Sequence, residues 1–359
     1  MADYDVLIAG GGPAGCATAI SLRDFAPELR VCAAEPGVRH PRFVGETLSP
    51  QALIFLKHLG LRDRFERDGH ERAFRTQSAW GVSRLVPNEF LYGVHQIGWR
   101  LDRTRFEDML VNAAVDRGVE WRSEPVVSAA YADHRWTVQL QESEPVTARF
   151  VVDATGRRAV LCRKLNIVSV KLDRLIACTV RMQPAAAKVD LTVEAFADGW
   201  WYATSLPNGE RILACMTDND IVRREGFAQL DRLMLCLGET EFVREAAIEN
   251  ALVGQPQLFA AGSFNRAITG NLPFLAVGDA ASSFDPISSQ GIAKALRAGV
   301  FASYGIADLL VRGDRRGVAR YLSFVADEFA AYQSTLRDYY RQETRWTDRP
   351  FWQRRHAMA

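Results

Sequence analysis

The chain has 359 residues, 48% hydrophobic and 24% charged, with a formal net charge of +1. This near-neutral balance leaves no broad cationic footprint for nucleic acid or an anionic membrane, and the length suggests about two to three domains, or one domain carrying a large insertion. Six scattered cysteines without a CxxC pair, and six histidines sharing no ligand spacing, argue against a disulfide framework and against a zinc or iron site. No uninterrupted apolar run of about 20 residues offers a spanning helix. The start MADYDVLIAG shows no secretory signal pattern, so a reduced, cytoplasmic setting is expected.

In chain order, Val6–Ala9 reads as a short buried strand, Pro13 to Phe25 as a helix with small residues on its first turns, and Leu29–Ala34 as a second strand. This βαβ start predicts an α/β class with a Rossmann-like nucleotide domain. Residues 51–70 read as helical, 74–99 as aromatic and strand-like, and 101–117 as an amphipathic helix followed by β-rich sequence to Val152. From 166 to 262 strand patterns dominate, including a Pro207-Asn208-Gly209 turn, with one helix near 226–248. Leu275–Val277 returns to a buried strand, 292–310 is a long helix, and 313–359 is a helical tail rich in arginine and aromatics. The expected division is a discontinuous nucleotide-binding domain (1–75, 100–165 and 263–312), an inserted antiparallel-sheet domain (76–99 and 166–262) expected to cover the substrate, and the C-terminal helical segment (313–359).

Two motifs carry the cofactor reading. GGGPAG follows a strand and opens a helix: Gly10 permits the tight turn, Gly12 lets backbone approach a pyrophosphate, and Gly15 lets helix and strand close up. Pro13 and Ala14 begin a helix whose N-terminal N–H groups suit a phosphate, and Glu35 ends the second strand where a carboxylate meets ribose hydroxyls. This cradle alone fits FAD and NAD equally. The second motif, Gly278-Asp279-Ala280-Ala281 followed by Asp285-Pro286-Ile287-Ser288-Ser289-Gln290-Gly291, selects FAD. Asp279 at a strand end suits a ribityl or pyrophosphate group, and the helix starting near Gly291 and Ile292 can aim N–H groups at the anionic edge of a reduced flavin.

These motifs, with Arg103 in LDRTRFEDML and Asp153-Ala154-Thr155-Gly156-Arg157, resemble the flavin-dependent hydroxylase superfamily, which also holds flavin halogenases and geranylgeranyl reductase-like enzymes. The resemblance implies that Arg103 contacts FAD phosphates. The stretches VGETLSP (Val44–Pro50), Gly199-Trp200-Trp201-Tyr202-Ala203 and the tail RWTDRPFW resemble the halogenase-like branch. DPISSQGI is similar to flavoproteins that mature tryptophylquinone cofactors of bacterial amine and amino-acid oxidases. Tryptophan-type halogenases use a lysine between flavin and substrate and a WxWxIP motif. Here no lysine falls between Lys57 and Lys164, and WWYATSLP has a different spacing.

The resemblance implies an FAD-dependent monooxygenase hydroxylating an electron-rich aromatic ring through a flavin C4a-hydroperoxide. The ring is expected to be a peptidyl tryptophan of a precursor oxidase subunit, with a small aromatic molecule as the alternative. A geranylgeranyl reductase-like enzyme, a halogenase, and an electron carrier or assembly factor are the other readings. Electrons would come from NAD(P)H or a separate flavin reductase. Glu46, Ser289 and Gln290 are the candidate catalytic residues, with Pro286 forming one wall of the site. Trp80, Trp99, Trp200 and Tyr202 are the candidate substrate-pocket rings, Trp200 and Tyr202 sharing one strand face. For each ring, core packing competes with a pocket role.

Overall fold

The computed structural model describes residues 3–37, 47–89, 97–184, 188–247 and 252–358. The strand Asp3–Ala9 pairs in parallel with Val31–Ala34 on one side and Val146–Asp153 on the other. A strand so placed is buried on both faces, so its sequence is continuously apolar rather than alternating. Glu120–Arg122 extends the sheet past Val31–Ala34, while Arg135–Leu140 and Val126–Ala132 continue it antiparallel beyond Val146–Asp153. The end of Val146–Asp153 also accepts Phe274–Ala276 as a parallel partner. Ala9 therefore lies opposite Asp153, and Asp153 opposite Ala276, which brings three strand ends about 270 residues apart in sequence to one edge.

Over this edge the helices Pro13–Phe25 and Gly291–Arg312 pack against each other. A Cβ on Gly299 would lie 2.5 Å from the Ala14 carbonyl oxygen and 2.8 Å from Ala17 Cβ, so glycine is what permits this approach.

The second large sheet is mainly antiparallel. Its strands run in the order Leu252–Ala260, Leu175–Met182, Arg211–Asp218, Gly199–Ser205, Leu191–Phe196, Arg75–Ala79 and Val86–Glu89. Gly98–Arg100 joins a different, small sheet with Thr47–Leu48 and Glu71–Ala73. In place of one helix near 226–248 there are three short ones, Asn219–Glu225, Leu230–Leu237 and Phe242–Ala247. Gly226, at φ +73°, ends the first, and Gly238 follows the second. The third is fixed by a buried carboxylate: Glu194 accepts the backbone N–H groups of Glu241, Phe242 and Val243 at 2.7, 2.9 and 2.9 Å.

The long helix Arg316–Arg341 ties the two sheets together. Its buried residues Val318, Tyr321, Val325, Phe329, Tyr332, Leu336 and Tyr340 repeat at three and four, forming one apolar stripe. The first three enter the core of the parallel sheet and the last four that of the second sheet. The terminal helix Pro350–His356 adds Phe351 and Trp352 to the second core, where Trp352 donates its indole N–H to the Phe196 carbonyl at 2.9 Å. Arg355, also buried, makes a two-pronged ion pair with Asp218 at 2.7 and 2.8 Å. Among the described residues no helix is long and apolar enough to cross a membrane.

Candidate functional site

The glycine loop crosses the shared strand edge. Gly10, at φ +111°, stands so close to the next strand that a Cβ would lie 2.3 Å from the Ala154 carbonyl oxygen. Gly15 would place one 2.0 Å from the Gly10 carbonyl, so both glycines are demanded by the protein's own backbone. Gly12 differs: nothing lies within 4 Å of its would-be Cβ. Its missing side chain leaves open space where a ligand can meet the helix N-terminus, and Pro13 follows with no side-chain cap on that helix. Glu35 accepts the Gly11 N–H at 2.7 Å and so ties the loop to the end of the second strand.

The distant GDAA segment arrives beside this loop. A Cβ on Gly278 would sit 2.8 Å from Ala14 Cβ, placing the turn Gly278–Ala280 against the first turn of the Pro13 helix. Asp279 is held by Lys294 at 3.0 Å and by Arg157 at 3.4 Å. Burial works to raise its carboxyl, but the charges of Lys294 and Arg157, with hydrogen bonds from Lys294 and Ser283, leave it below the usual carboxylate value. Arg157 also donates to the Gly262 and Phe284 carbonyls at 2.7 and 3.0 Å, which clamps the DATGR turn to this segment. Asp153 fixes the same turn, accepting from Thr155 N, Thr155 Oγ1 and Cys162 N at 3.0, 2.6 and 2.8 Å.

Beyond GDAA, Asp285 caps the turn Pro286–Ser288 by accepting the Ile287 N–H at 2.9 Å. Its other carboxylate oxygen accepts the Tyr340 hydroxyl at 2.7 Å, and Tyr340 Oη accepts the Trp200 indole N–H at 3.0 Å. The Asp285 N–H donates to Tyr332 Oη at 2.7 Å, and the Tyr332 and Ser263 hydroxyls share a hydrogen bond of 2.7 Å. Burial, with the neighbouring negative charge of Asp173, pushes the Asp285 carboxyl up to about 7. Ser289 follows at φ +49°, exposed, and Gln290 starts the helix Gly291–Arg312, which has no side-chain cap. Ile292 is buried in the first core beneath it. Two uncapped helix N-termini thus flank the glycine loop and the GDAA turn. With the open space at Gly12 they fit a bound dinucleotide.

Arg103 begins the helix Arg103–Asp116 and pairs with Glu107 one turn on. Three of the four expected pocket rings, Trp80, Trp200 and Tyr202, gather in the second core, and Trp99 stands apart from them. Trp99 belongs to the first core, edge-on to Phe65 at 5.1 Å, because its strand pairs in the small sheet. Trp80 and Trp200 are sealed between the second sheet and the long helix, with Trp80 donating to the Tyr339 carbonyl at 3.0 Å and lying 5.4 Å from Trp352. Tyr202 lies 6.4 Å from Trp200 on the same side, also buried. Their place is core packing. Glu46 lies outside the described residues.

Sequence reasoning passed over Lys294, Tyr332 and Tyr340. For Lys294 a signal existed: it is the one lysine of five within the flavin segment, four residues after Gln290.

The parallel sheet, its glycine cradle and the GDAA turn define a flavoprotein of the FAD-dependent oxidoreductase class. A family model described as tryptophan halogenase matches residues 73–359, and the chain belongs to that family. LodB of Marinomonas mediterranea, named as an FAD-dependent oxidoreductase, is 30% identical over 370 residues, which cover 100% of this chain and 98% of LodB. The flavin-dependent halogenase CmlS shares the fold at a TM-score of 0.88 and 22% identity, over 100% of this chain and 68% of CmlS. QhpG, a peptidyl tryptophan dihydroxylase essential for tryptophylquinone cofactor biogenesis, aligns with a TM-score of 0.79 and 25% identity over 99% of this chain and 79% of its own.

Proposed function

We propose that this chain is an FAD-dependent monooxygenase that hydroxylates a tryptophan side chain within a partner polypeptide, the precursor subunit of a tryptophylquinone oxidase. The observation that carries this reading is the likeness to QhpG along nearly the whole chain, at a higher identity than to CmlS. Bound FAD, reduced by NAD(P)H or by a separate flavin reductase, supplies the activation of oxygen. One oxygen atom then enters a ring C–H bond of the substrate and the other leaves as water.

The chain's own residues bind and position. Gly12 and the Pro13 helix would receive the pyrophosphate, and Asp279, kept ionised by Lys294 and Arg157, would accept hydroxyl donors of the ribityl chain. Asp285 and Tyr340 hold the Pro286–Ser288 turn rigid, which aims the N-terminus of the Gly291 helix.

Halogenation is the second reading, favoured by the family match and by the fold of CmlS. The lysine inventory weighs against it. Lys57, Lys164, Lys171 and Lys188 are exposed, and Lys294 is buried with its ammonium held by Asp279 and the Ser282 carbonyl. Incubating the reduced, FAD-loaded protein with isotopically labelled oxygen and the precursor subunit should place label on one tryptophan of that subunit. An unlabelled precursor, alongside turnover of a free indole or phenol, refutes the peptide substrate. A product that requires chloride or bromide refutes hydroxylation.

A further inference from the structure

Two buried arginines among the described residues are neutralised by carboxylates, Arg355 by Asp218 and Arg100 by Asp190 and Glu71. Arg266 differs from these two. It is 9% exposed, lies at the end of the strand Phe264–Arg266, and among the described residues has no carboxylate within ion-pair distance. Its Nε has no hydrogen-bond partner, and its guanidinium lies 4.8 Å over the ring of Phe264. Directly across the sheet register, the buried Ser169 hydroxyl also lacks a partner. An isolated cation this deeply buried is costly unless an anion joins it.

Arg266 borders a cavity of about 170 Å³. Asn265 lies beside it, its side-chain amide oxygen accepting the Arg266 N–H at 3.0 Å, a donor shared with the Ala281 carbonyl. The opposite wall comes from the long helix and is apolar, with Leu322, Val325 and Ala326. Tyr321 adds a ring, but its hydroxyl donates to the Ala276 carbonyl at 2.8 Å. The cavity is thus lined by one positively charged residue with an amide side chain beside it, and by a hydrocarbon wall from the long helix. Its volume is close to that of a cavity known to hold benzene, roughly 150 Å³.

We propose that this cavity is a binding site for a small organic monocarboxylate, such as a benzoate or a short branched-chain acid, with the carboxylate on Arg266 and the apolar body against Leu322 and Val325. A planar guanidinium matches a carboxylate in two-pronged geometry, and a single positive charge suits a monoanion better than a phosphate dianion. The site also touches the flavin segment from behind. Ala276 and Ala281 line it, and the Arg266 N–H bonds the Ala281 carbonyl at 3.0 Å, so an occupant buttresses the turn that carries Asp279. Occupancy and FAD binding should therefore strengthen each other, as linkage requires.

The test is calorimetric titration of the full-length, FAD-loaded protein with sodium benzoate and sodium isobutyrate, with chloride and inorganic phosphate as comparison anions at fixed ionic strength. Saturable binding of a carboxylate is expected. It should weaken by about tenfold or more in Arg266→Met, as loss of a charge-assisted hydrogen bond implies. Ala326→Phe, which keeps the arginine and fills the cavity mouth, should weaken it comparably and guards against misfolding of the first variant. No saturable carboxylate binding, binding of chloride or phosphate only, or binding undiminished in both variants would overturn the proposal.

Discussion

Replacing Tyr340 with phenylalanine tests the buried chain from Trp200 to Asp285. The hydroxyl does two jobs, accepting the Trp200 indole N–H at 3.0 Å and donating to Asp285 at 2.7 Å. Without it the indole N–H is orphaned in the core, a cost of about 1–3 kcal/mol. Asp285 also loses a donor that favours its charged form, so its carboxyl, already pushed up to about 7, moves higher still. Because the folded value lies above the ordinary 3.8, the native state keeps a proton that the unfolded chain releases. The contribution is therefore fully present below about pH 4, is lost as pH rises through about 7, and is flat above that; the full span is about 4 kcal/mol. In Tyr340→Phe the decline should continue beyond neutral pH, so the gap to wild type widens between about pH 6 and pH 8. Urea denaturation across that range, with Asp285→Asn as the non-titrating control, measures both effects. Equal stability of Tyr340→Phe and wild type, or a wild-type pH slope that survives in Asp285→Asn, would refute the reasoning.

Three further outcomes follow from the same geometry. Gly12→Ala should fold with near wild-type stability, since nothing lies within 4 Å of the added methyl, yet purify with much less FAD; Gly15→Ala, which drives a methyl to 2.0 Å from the Gly10 carbonyl, should lose both fold and flavin. The ratio of flavin to protein absorbance, set beside the thermal midpoint, separates the two. Lys294→Met should weaken FAD retention on gel filtration and move acid loss of flavin to higher pH. The lysine helps hold the Asp279 carboxyl below its usual value, and a lowered carboxylate gives stability that disappears as pH falls through its folded value. Arg355→Met leaves the buried Asp218 with only the half-exposed Arg354, and should cost about 3–5 kcal/mol in chemical denaturation; a loss below about 1 kcal/mol would count against the pair as a buried one.

The cradle was legible because each of its residues answers a local demand. Gly10 and Gly15 are forced by backbone contacts that any strand–loop–helix of this kind makes, and Asp279 ends a strand whose apolar run announces it. The aromatic residues were not legible in this way. Alternation along Gly199–Ser205 correctly puts Trp200 and Tyr202 on one side, but only the docking of Arg316–Arg341 decides that this side is interior. Asp285 and Tyr340 are 55 residues apart and Trp200 and Tyr340 are 140 apart, so no spacing rule links them. The expected helix over 226–248 is divided at Gly238 into two, with the second piece started by a carboxylate from a neighbouring strand. Propensity does not see such a partner.

Lys294 shows how far residue type falls short of role. A lysine four residues after the flavin-edge glutamine could be read as the acid of a halogenating site. In place, its ammonium contacts Asp279 at 3.0 Å, bonds the Ser282 carbonyl and lies 4.6 Å over the Phe284 ring. To reach a substrate it would have to leave Asp279 to Arg157 alone, at 3.4 Å, and give up the carboxylate that compensates its own buried charge. The same interaction gives it a different use. By keeping Asp279 ionised it preserves the acceptor that a polyhydroxylated ligand needs at the strand edge, and it does so from the first turn of the helix whose free N–H groups face the same cradle. The charge of Lys294 is therefore committed to Asp279 and not to a substrate, while the helix's other cations pair with Glu328 and Asp308.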